Sequence, residues 1–552
     1  MVAAVVEPLP LYCPRNPRAS GLWQLLDRHF DTFRRVYDER FAAKYGFWRP
    51  IVERSVAAFL GCGDLHEGFA RVRCGDCGHE MFVAFSCKQR CTCPSCHQKR
   101  TLQTALHVVE DVCVPVAHRQ VVLTIPKRLR LHARFDRRLL GKLCACAWTC
   151  IQAEVRRLLG RDDVQPGMIA AIQTHGELLH WHPHIHALVT CGAFTAEGER
   201  GKGDSLHLPE RPEGCCAQMG TVPFSTAEGE FLEVPELDIE RLEATWREAV
   251  FDLYLSEGKI EPGTVENMRG WPHSGFSADQ SVYLPAGDRA GIERLTQYMI
   301  RCPFSLSRLI KVTATGQVVY KAEKDACRAF PDPSGMWKRG QSPFAGTARR
   351  VLRTNGACPL FHADELAAGP KRNFQVLDPL DFLAEFTQHI PPKGSHLIRY
   401  YGWYSNKSRG MRRKAADAAA TNSPLPSGEE QGVRAALPPV SVPSRCSRTW
   451  AMLIKRVYEV DPLACPKCGG QMKVVAFIEP PQGAVIEKIL RHCGLWQPST
   501  PRPPPVDETA EGDEGLDDWS DADWFCIPAE DFAQVGPDDS VYVDIGPFEA
   551  AF

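Results

Sequence analysis

Residues 167–190 read GMIAAIQTHGELLHWHPHIHALVT, and this segment predicts two paired strands. Two apolar runs, 167–176 and 184–192, flank the short connection ELLHWHP, which is typical of an antiparallel hairpin. We expect Pro183 to end the second strand on its early side and to leave His180 and His182 in the turn. Residues two apart in a strand face the same side, so His184 and His186 converge on one face.

Two imidazoles about 7 Å apart along a strand can chelate one divalent cation. They leave coordination positions open, which is typical of a catalytic rather than a structural site. We expect the third ligand on the neighbouring strand, where Gln173 and His175 share a face; Glu177 and His182 are further candidates. The competing interpretation is that these histidines are ordinary core residues.

A nucleophile is predicted in residues 291–309, GIERLTQYMIRCPFSLSRL. The apolar positions Ile292, Leu295 and Met299 predict the buried stripe of a short helix that ends before Pro303. A tyrosine and two arginines share a different face of this helix, namely Arg294, Tyr298 and Arg301. Guanidinium groups beside a phenol favour the phenolate and attract a phosphodiester. The alternative is an ordinary tyrosine on the flank of an amphipathic helix.

The chain contains 23 cysteines, and without an export signal their regular spacing indicates metal ligation rather than disulfides. Two Cys-x2-Cys pairs separated by fifteen residues predict one four-thiolate zinc site, formed by Cys74, Cys77, Cys93 and Cys96. Cys87 and Cys91 are spare. A later pair, Cys465 and Cys468, predicts a second zinc site if His492 and Cys493 complete it. Neighbouring basic residues favour a phosphate backbone as the partner.

The net charge of −2 conceals a strong asymmetry. Residues 507–552 contain 15 acidic residues and no Lys or Arg, so the rest of the chain has 65 basic against 67 − 15 = 52 acidic residues, or +13. A basic body with an acidic tail is typical of a nucleic-acid binder whose tail masks the site or binds a partner. The start lacks the features of a secretory signal, and no run of 18 apolar residues occurs, so we expect a cytoplasmic protein.

Several segments together resemble one family. HPHIHALVT (182–190), LTQYMIRCPFSLSRL (295–309) and the upstream cysteine block (73–96) are similar to the HUH-type rolling-circle transposases of the insertion sequence 91 group. The later segments HLIRYYGWYSNKSR (396–409) and DPLACPKCGGQMKVVAFIE (461–479) resemble the family as well. The likeness runs in the family's order from about residue 20 to about residue 497.

The resemblance implies a bacterial single-strand DNA endonuclease and strand transferase. It implies that Tyr298 attacks a DNA phosphate, keeps a 5′-phosphotyrosine link and frees a 3′-OH, while His184 and His186 hold Mg²⁺ or Mn²⁺. Founding members carry a second tyrosine where this chain has Arg294, so the chain resembles the single-tyrosine branch. Tyr400 and Tyr404 are also four residues apart, but their basic aromatic setting favours stacking on single-stranded bases.

The predicted architecture is α+β. An HUH (His-hydrophobic-His) nuclease core over 115–320 would contain a central antiparallel sheet covered by helices. A helical and zinc-binding domain (20–110) would precede it. After it we expect an accessory region with a basic aromatic arm (321–414), a linker (415–447), a small Cys-x2-Cys module (448–497) and a disordered acidic tail (498–552). The partners would be single-stranded DNA, with a second copy or host replication proteins. Two other functions fit: a plasmid replication initiator or relaxase, and a non-catalytic zinc-dependent DNA-binding protein.

Overall fold

The computed structural model describes residues 17–176, 178–195, 230–312, 317–322, 328–329, 371–372, 374–421 and 463–496. Glu177, the expected acidic tail and most of the expected linker lie outside these residues. Among the described helices, none has the length and apolar character needed to cross a bilayer.

The described helices are α1 (Gly21–Arg40), α2 (Ala42–Tyr45), α3 (Pro50–Leu60), α4 (Pro94–His107), α5 (Lys127–Phe135), α6 (Arg138–Leu159), α7 (Ile239–Ser256), α8 (Pro262–Arg269), α9 (Arg289–Met299), α10 (Pro379–Thr387), α11 (Asn406–Thr421) and α12 (Gly483–His492). The strands are β1 (Phe69–Cys74), β2 (Glu80–Ala84), β3 (His118–Thr124), β4 (Val164–Gln165), β5 (Gly167–His175), β6 (Trp181–Thr190), β7 (Gly192–Thr195), β8 (Phe231–Glu233), β9 (Ser277–Asp279), β10 (Tyr283–Leu284), β11 (Leu309–Val312), β12 (Val318–Lys321), β13 (Arg328–Ala329), β14 (Lys371–Arg372), β15 (Phe374–Leu377), β16 (Ile398–Gly402) and β17 (Met472–Ile478).

The predicted hairpin, β5 and β6, lies in the middle of the largest sheet. The strand order is β10-β3-β6-β5-β16, with β9 also paired to β3, and every pair is antiparallel. The fold is therefore mixed α and β with antiparallel sheets. Because β6 has a partner on both sides, the histidine strand is held along its length.

Pro183 does not end β6, contrary to the prediction. The strand begins at Trp181, so His182 belongs to it and faces the same side as His184. The register of β5 against β6 shifts between Gln173 and His175. Proline has no N–H to donate to a sheet, and here it sits where the ladder is already irregular, which is where sheets tolerate it.

The central sheet is covered on both faces. On one face Val121, Leu123 and Ile185 belong to the core that contains α6 and α7. On the other face Ile169, Ala171 and Leu188 share a core with residues of α9, including its predicted stripe of Ile292, Leu295 and Met299. His184 and His186 alternate with Ile185 and therefore lie on the α9 face.

Residues 398–402, which we assigned to an accessory arm, form an edge strand of this same sheet. β16 pairs with β5 from Ile398 opposite Ala171 to Gly402 opposite Gly167. Gly402 has a φ of 55°, and a Cβ there would collide with the carbonyl oxygen of Pro166. Only glycine fits such a left-handed position at close approach.

The chain between β15 and β16 packs on the N-terminal helices. Arg40 of α1 donates to Asp381 of α10 at 2.9 Å, and the Tyr45 hydroxyl donates to Glu385 at 2.6 Å. Apolar residues of α10 complete the core of α1 and α3. Helix α11 continues to Thr421, into the segment that we predicted to be a linker.

The C-terminal segment 463–496 is not a separate module. Its strand β17 pairs with β1 along six residue pairs, and β1 pairs with β2 on its other side. Phe69 of β1, Ile478 of β17 and Ile486 of α12 share one small core. The N-terminal sheet therefore includes a strand from the far end of the chain.

Candidate active site and metal clusters

Two clusters of four cysteines occur among the described residues, and within each the sulfur atoms lie within 4.8 Å of one another. The Cys62 cluster consists of Cys62, Cys87, Cys93 and Cys96. The Cys74 cluster consists of Cys74, Cys77, Cys465 and Cys468. Four convergent thiols at this spacing fit a tetrahedral zinc ion.

This arrangement corrects the predicted grouping, in which Cys74, Cys77, Cys93 and Cys96 shared one ion. Cys74 and Cys77 lie at the end of the β1–β2 hairpin, and the pairing of β17 with β1 brings Cys465 and Cys468 to them. Cys93 and Cys96 begin α4 and meet Cys62, which follows α3. Cys465 and Cys468 therefore belong to a second four-cysteine cluster, of which His492 and Cys493 are not part.

The two cysteines that we left as spares have different positions. Cys87 is a full member of the Cys62 cluster, with its sulfur 3.5 Å from that of Cys96. Cys91 belongs to neither cluster, and burial raises the pKa of its thiol to about 12. Burial also raises the pKa of Cys62 and Cys87, so a bound cation is needed to favour their thiolates.

His184 and His186 lie side by side on the α9 face of β6, with ring centroids 4.8 Å apart. Nδ1 of His184 donates to the carbonyl oxygen of His182 at 2.8 Å. A neutral imidazole that donates through Nδ1 has its lone pair on Nε2. A hydrogen bond from the other ring nitrogen to a backbone carbonyl is typical of metal-ligating histidines.

His186 is buried and neutral. Burial, then the positive charges of His184 and Arg301, hold its pKa well below the ordinary value. Its Nδ1 lies 2.7 Å from the Gln120 side-chain amide on β3, and its Nε2 has no hydrogen-bond partner. In this orientation the Gln120 nitrogen donates to Nδ1. Turning the amide over, which interchanges two atoms of similar size, would let Nδ1–H donate to the amide oxygen and leave the lone pair of His186 on Nε2.

Tyr298 on α9 stands against this pair. Its ring meets the ring of His186 edge-on, with centroids 5.6 Å apart. The Arg301 guanidinium carbon lies 4.5 Å from the Tyr298 ring centroid. Arg301 comes after the end of α9 and reaches the ring from the following turn rather than from the predicted helix face. Arg294 is exposed and makes no hydrogen bond or ion pair within the described part of the chain, so its predicted part beside the phenol stays a prediction.

The backbone carbonyl groups at the end of α9 accept hydrogen bonds from side chains of β5 and α4. The side-chain amide of Gln173 donates to the carbonyls of Tyr298 and Met299, at 3.0 and 2.8 Å. His97 of α4 donates through Nε2 to the carbonyl of Ile300 at 2.8 Å. Helix C-termini leave such carbonyls without intrahelical partners. The helix that begins in the Cys62 cluster thus fixes the segment that carries Tyr298, a link for which the sequence has no signal.

The candidates for a third metal ligand take different positions. Gln173 lies directly opposite His184 in the sheet register. His175 follows the register shift, is 3% exposed, and its Nδ1 has no partner. Burial lowers the pKa of His182 to about 3. Its ring stacks on that of His180 and is tilted against that of His184, with centroids 5.1 Å apart. Within the described residues, no third histidine, cysteine or carboxylate forms a metal-sized cluster with His184 and His186.

Tyr404 is excluded from the roles that we considered for it. It is fully buried, and its hydroxyl lies 2.6 Å from Nε2 of His118. A residue inside the core cannot stack on DNA bases or attack a phosphate. Tyr400 is half-buried in β16, with the Arg409 guanidinium carbon 5.2 Å from its ring centroid.

Comparison with known proteins agrees with these features. A family model described as "Putative transposase" matches residues 167–412, which include the β5–β6 hairpin and Tyr298. A model described as "Transposase zinc-binding domain", for the insertion sequence 91 group, matches residues 32–125. No solved structure shows significant similarity to the chain.

Two curated relatives are similar over most of their length. The transposase for insertion sequence element IS801 of Pseudomonas savastanoi pv. phaseolicola is 24% identical over 438 residues, which cover 78% of this chain and 85% of the relative. The "Putative transposase y4qJ" of Sinorhizobium fredii is 23% identical over 408 residues, which cover 72% of this chain and 85% of the relative.

The matched segments and the cysteine clusters define the class: a DNA-processing transposase with a zinc-binding domain. In both matched segments the chain is similar to transposases of the insertion sequence 91 group.

Proposed function

We propose that the chain nicks and rejoins single-stranded DNA through Tyr298 during rolling-circle transposition, with an HUH-type nuclease core. The observation that carries this proposal is the edge-on contact of Tyr298 with His186, 5.6 Å between ring centroids, beside His184. A phenol next to two imidazoles and one guanidinium combines a nucleophile, a cation site and a phosphate-binding charge.

The residues fit a divalent cation held by His184, His186 and the side-chain oxygen of Gln173. The amide nitrogen of Gln173 is engaged with two carbonyls, so its oxygen is the atom left to face His184. An oxygen ligand beside two imidazoles suits Mg²⁺ or Mn²⁺. When bound, the cation polarises the phosphate and stabilises the charge that develops on it.

The steps at the protein follow from this arrangement. The Tyr298 oxygen attacks the phosphorus, the phenol loses its proton, and the bond from phosphorus to the 3′ oxygen breaks. The 3′ oxygen takes up a proton and leaves as a 3′-OH, while the 5′ phosphate stays on Tyr298. Attack by another 3′-OH then restores the phosphodiester and frees the tyrosine. The phosphotyrosine conserves the bond energy, so no nucleotide triphosphate is consumed.

Arg301 is the residue suited to hold the phosphate, because its guanidinium lies over the Tyr298 ring. Gln173 and His97 fix the end of α9 and so keep the phenol oriented. A replication initiator would use the same chemistry, but the two curated relatives are transposases by name.

The test is covalent capture of DNA. Labelled single-stranded DNA from the flanks of the protein's own gene is incubated with the full chain and Mn²⁺, then separated on a denaturing gel. We expect an adduct that disappears in EDTA and in Tyr298→Phe but persists in the matched control Tyr283→Phe, an exposed tyrosine. An adduct that survives in Tyr298→Phe would overturn the proposal. So would no adduct at all from a protein that still binds the DNA and its zinc.

A further inference from the structure

A cavity of about 310 Å³ lies beside the tyrosine, between α4, the start of α6, β5, the end of α9 and residues 389–399. Gln173 and Arg301, which contact the Tyr298 segment, also form part of its wall. The cavity therefore borders the segment that carries Tyr298, and neither His184 nor His186 lines it.

The wall of this cavity is strongly positive. No Asp or Glu is among the described residues that line it, whereas basic side chains reach it from four parts of the fold: Arg90, Arg100, Arg137, Arg138, Arg301, Lys393 and Arg399. Burial, with Arg49 and Arg134 nearby, holds the pKa of Arg137 below its ordinary value. Like charges gathered around a partly enclosed space are unfavourable unless an anion enters it.

Thr104 Oγ1, His175 Nδ1 and Arg399 Nε all lie on this wall and have no hydrogen-bond partner among the described residues. Thr104 is 1% and His175 3% exposed, so water at the outer surface does not reach them. Buried polar atoms are paired in the great majority of cases. Three unpaired atoms on one wall indicate a ligand that offers both donors and acceptors.

The remaining wall is apolar. Leu140, Ile172, Pro391 and Pro392 face the same space as the arginines. A small inorganic anion would leave this surface uncovered, whereas a nucleotide joins a flat base to a phosphate. The volume is in the range of cavities that hold one small molecule, roughly 300–1,000 Å³.

We propose that this cavity binds one nucleotide of the single-stranded substrate, next to the phosphate that Tyr298 attacks. The base lies against the apolar wall and uses Thr104 and His175, and its phosphate pairs with Arg399. This inference rests on the proposed function, because it takes single-stranded DNA as the ligand. It adds a base-binding site that fixes which phosphate lies at the tyrosine.

The experiment separates binding from chemistry. The full chain with Tyr298→Phe, in EDTA, is titrated by fluorescence anisotropy into single-stranded oligonucleotides from the flanks of its gene, each with one abasic position. We expect one abasic position near the nick to weaken binding about tenfold, because the missing base can no longer contact the apolar wall, Thr104 and His175. Failure of the tyrosine chemistry would leave this result unchanged, so the two proposals fail separately.

Two further variants in the same background locate the base. Thr104→Phe, which fills the cavity, should weaken binding of the intact oligonucleotide and abolish the extra effect of the abasic position. Arg399→Gln should lower the slope of log affinity against log salt by about 0.7, the value for one phosphate contact on a single strand. Arg247→Gln, on the opposite side of the sheet, is the matched control and should leave the slope unchanged.

The inference would be overturned if no abasic position weakened binding and if Arg399→Gln left the salt dependence of the affinity unchanged. An abasic effect that persists in both Arg399→Gln and a correctly folded Thr104→Phe would also overturn it, since the base would then lie elsewhere. Tight binding of free dAMP, with no dependence on abasic position, would identify a site for a free nucleotide instead.

Discussion

The Cys77 sulfur lies 3.5 Å from the Cys465 sulfur, although the two residues are 388 positions apart in the chain. Cys74 and Cys468 meet in the same way at 3.6 Å. Each pair supplies half of a tetrahedral set, and neither pair has other thiols within reach among the described residues. A zinc ion held by the Cys74 cluster would therefore join the N-terminal hairpin to the C-terminal segment.

We expect two zinc ions per chain, one for each cluster. Cys465→Ser should remove one, and Cys87→Ser should remove the other, because three thiolates bind zinc more weakly than four. Cys493→Ser is the matched control, since Cys493 is exposed and belongs to neither cluster. Zinc per protein, measured by elemental mass spectrometry, would contradict the grouping if Cys465→Ser kept both ions or Cys493→Ser lost one.

Substitution of Gln173 should have two separable effects. The amide oxygen is proposed to bind the cation, whereas the amide nitrogen holds the carbonyls of Tyr298 and Met299. Gln173→Leu should raise the Mn²⁺ concentration needed for half-maximal adduct formation about 10–100-fold, as for other disrupted metal sites. Gln173→Glu should restore the Mn²⁺ dependence but remain slow at saturating Mn²⁺, since a carboxylate cannot donate to the carbonyls of Tyr298 and Met299.

The control for this pair is Gln297→Leu on α9, whose amide contacts Glu293. It should leave the Mn²⁺ dependence unchanged. An unaltered Mn²⁺ dependence in Gln173→Leu would exclude Gln173 as a ligand and return the choice to His175 and His182.

Tyr404→Phe should keep adduct formation and lose stability. The substitution leaves Nε2 of buried His118 without its partner, which typically costs about 1–3 kcal/mol of unfolding free energy. Urea unfolding followed by fluorescence measures the loss, with Tyr283→Phe as the exposed control. Loss of the adduct from folded Tyr404→Phe would give this residue a catalytic part that its burial argues against.

Acid should destabilise the fold through its neutral histidines. Burial lowers the pKa of His97 and His118 to about 4 and that of His389 to about 3, while histidine in an unfolded chain titrates near 6.5. Protons therefore bind the unfolded state first. The stability contribution is complete above pH ~6.5 and declines as the pH falls toward 4, by up to about 1.4 kcal/mol per pH unit for each residue.

The measurement is the urea midpoint across this pH range. His118→Gln should give a shallower pH dependence than the unsubstituted chain, whereas exposed His273→Gln should leave it unchanged. Both comparisons keep the cysteine clusters intact, so zinc loss in acid affects each protein alike. A pH dependence equal in all three proteins would contradict the assignment.

The sequence was sufficient where local periodicity decides the structure. The β5–β6 hairpin, the shared face of His184 and His186, and the buried stripe of α9 all follow from spacings of two or of three to four residues. Tyr298 then meets His186 because the apolar stripe of α9 packs on the apolar residues of β5 and β6 that surround His186.

The sequence was insufficient where distant segments meet. Nothing near Cys74 indicates that β17 pairs with β1, so the nearer pair, Cys93 and Cys96, was chosen instead. Cys62 has no partner at a Cys-x2-Cys spacing, so the spacing rule does not predict it as a metal ligand. Residues 398–402 were assigned to an arm for their aromatic and basic composition, although their apolar Ile398 and their Gly402 suit an edge strand.

The pairing of β1 with β17 also sets an order of events on the ribosome. The Cys62 cluster can close as soon as residue 96 has emerged, since all four thiols are then available. Cys74 and Cys77 must wait until Cys465 and Cys468 are synthesised, so the nascent chain carries an open half-site through most of translation. A product that stops early, from a broken or shifted reading frame, keeps β1 without its outer strand. Metal loading at this cluster thus distinguishes a complete chain from a truncated one.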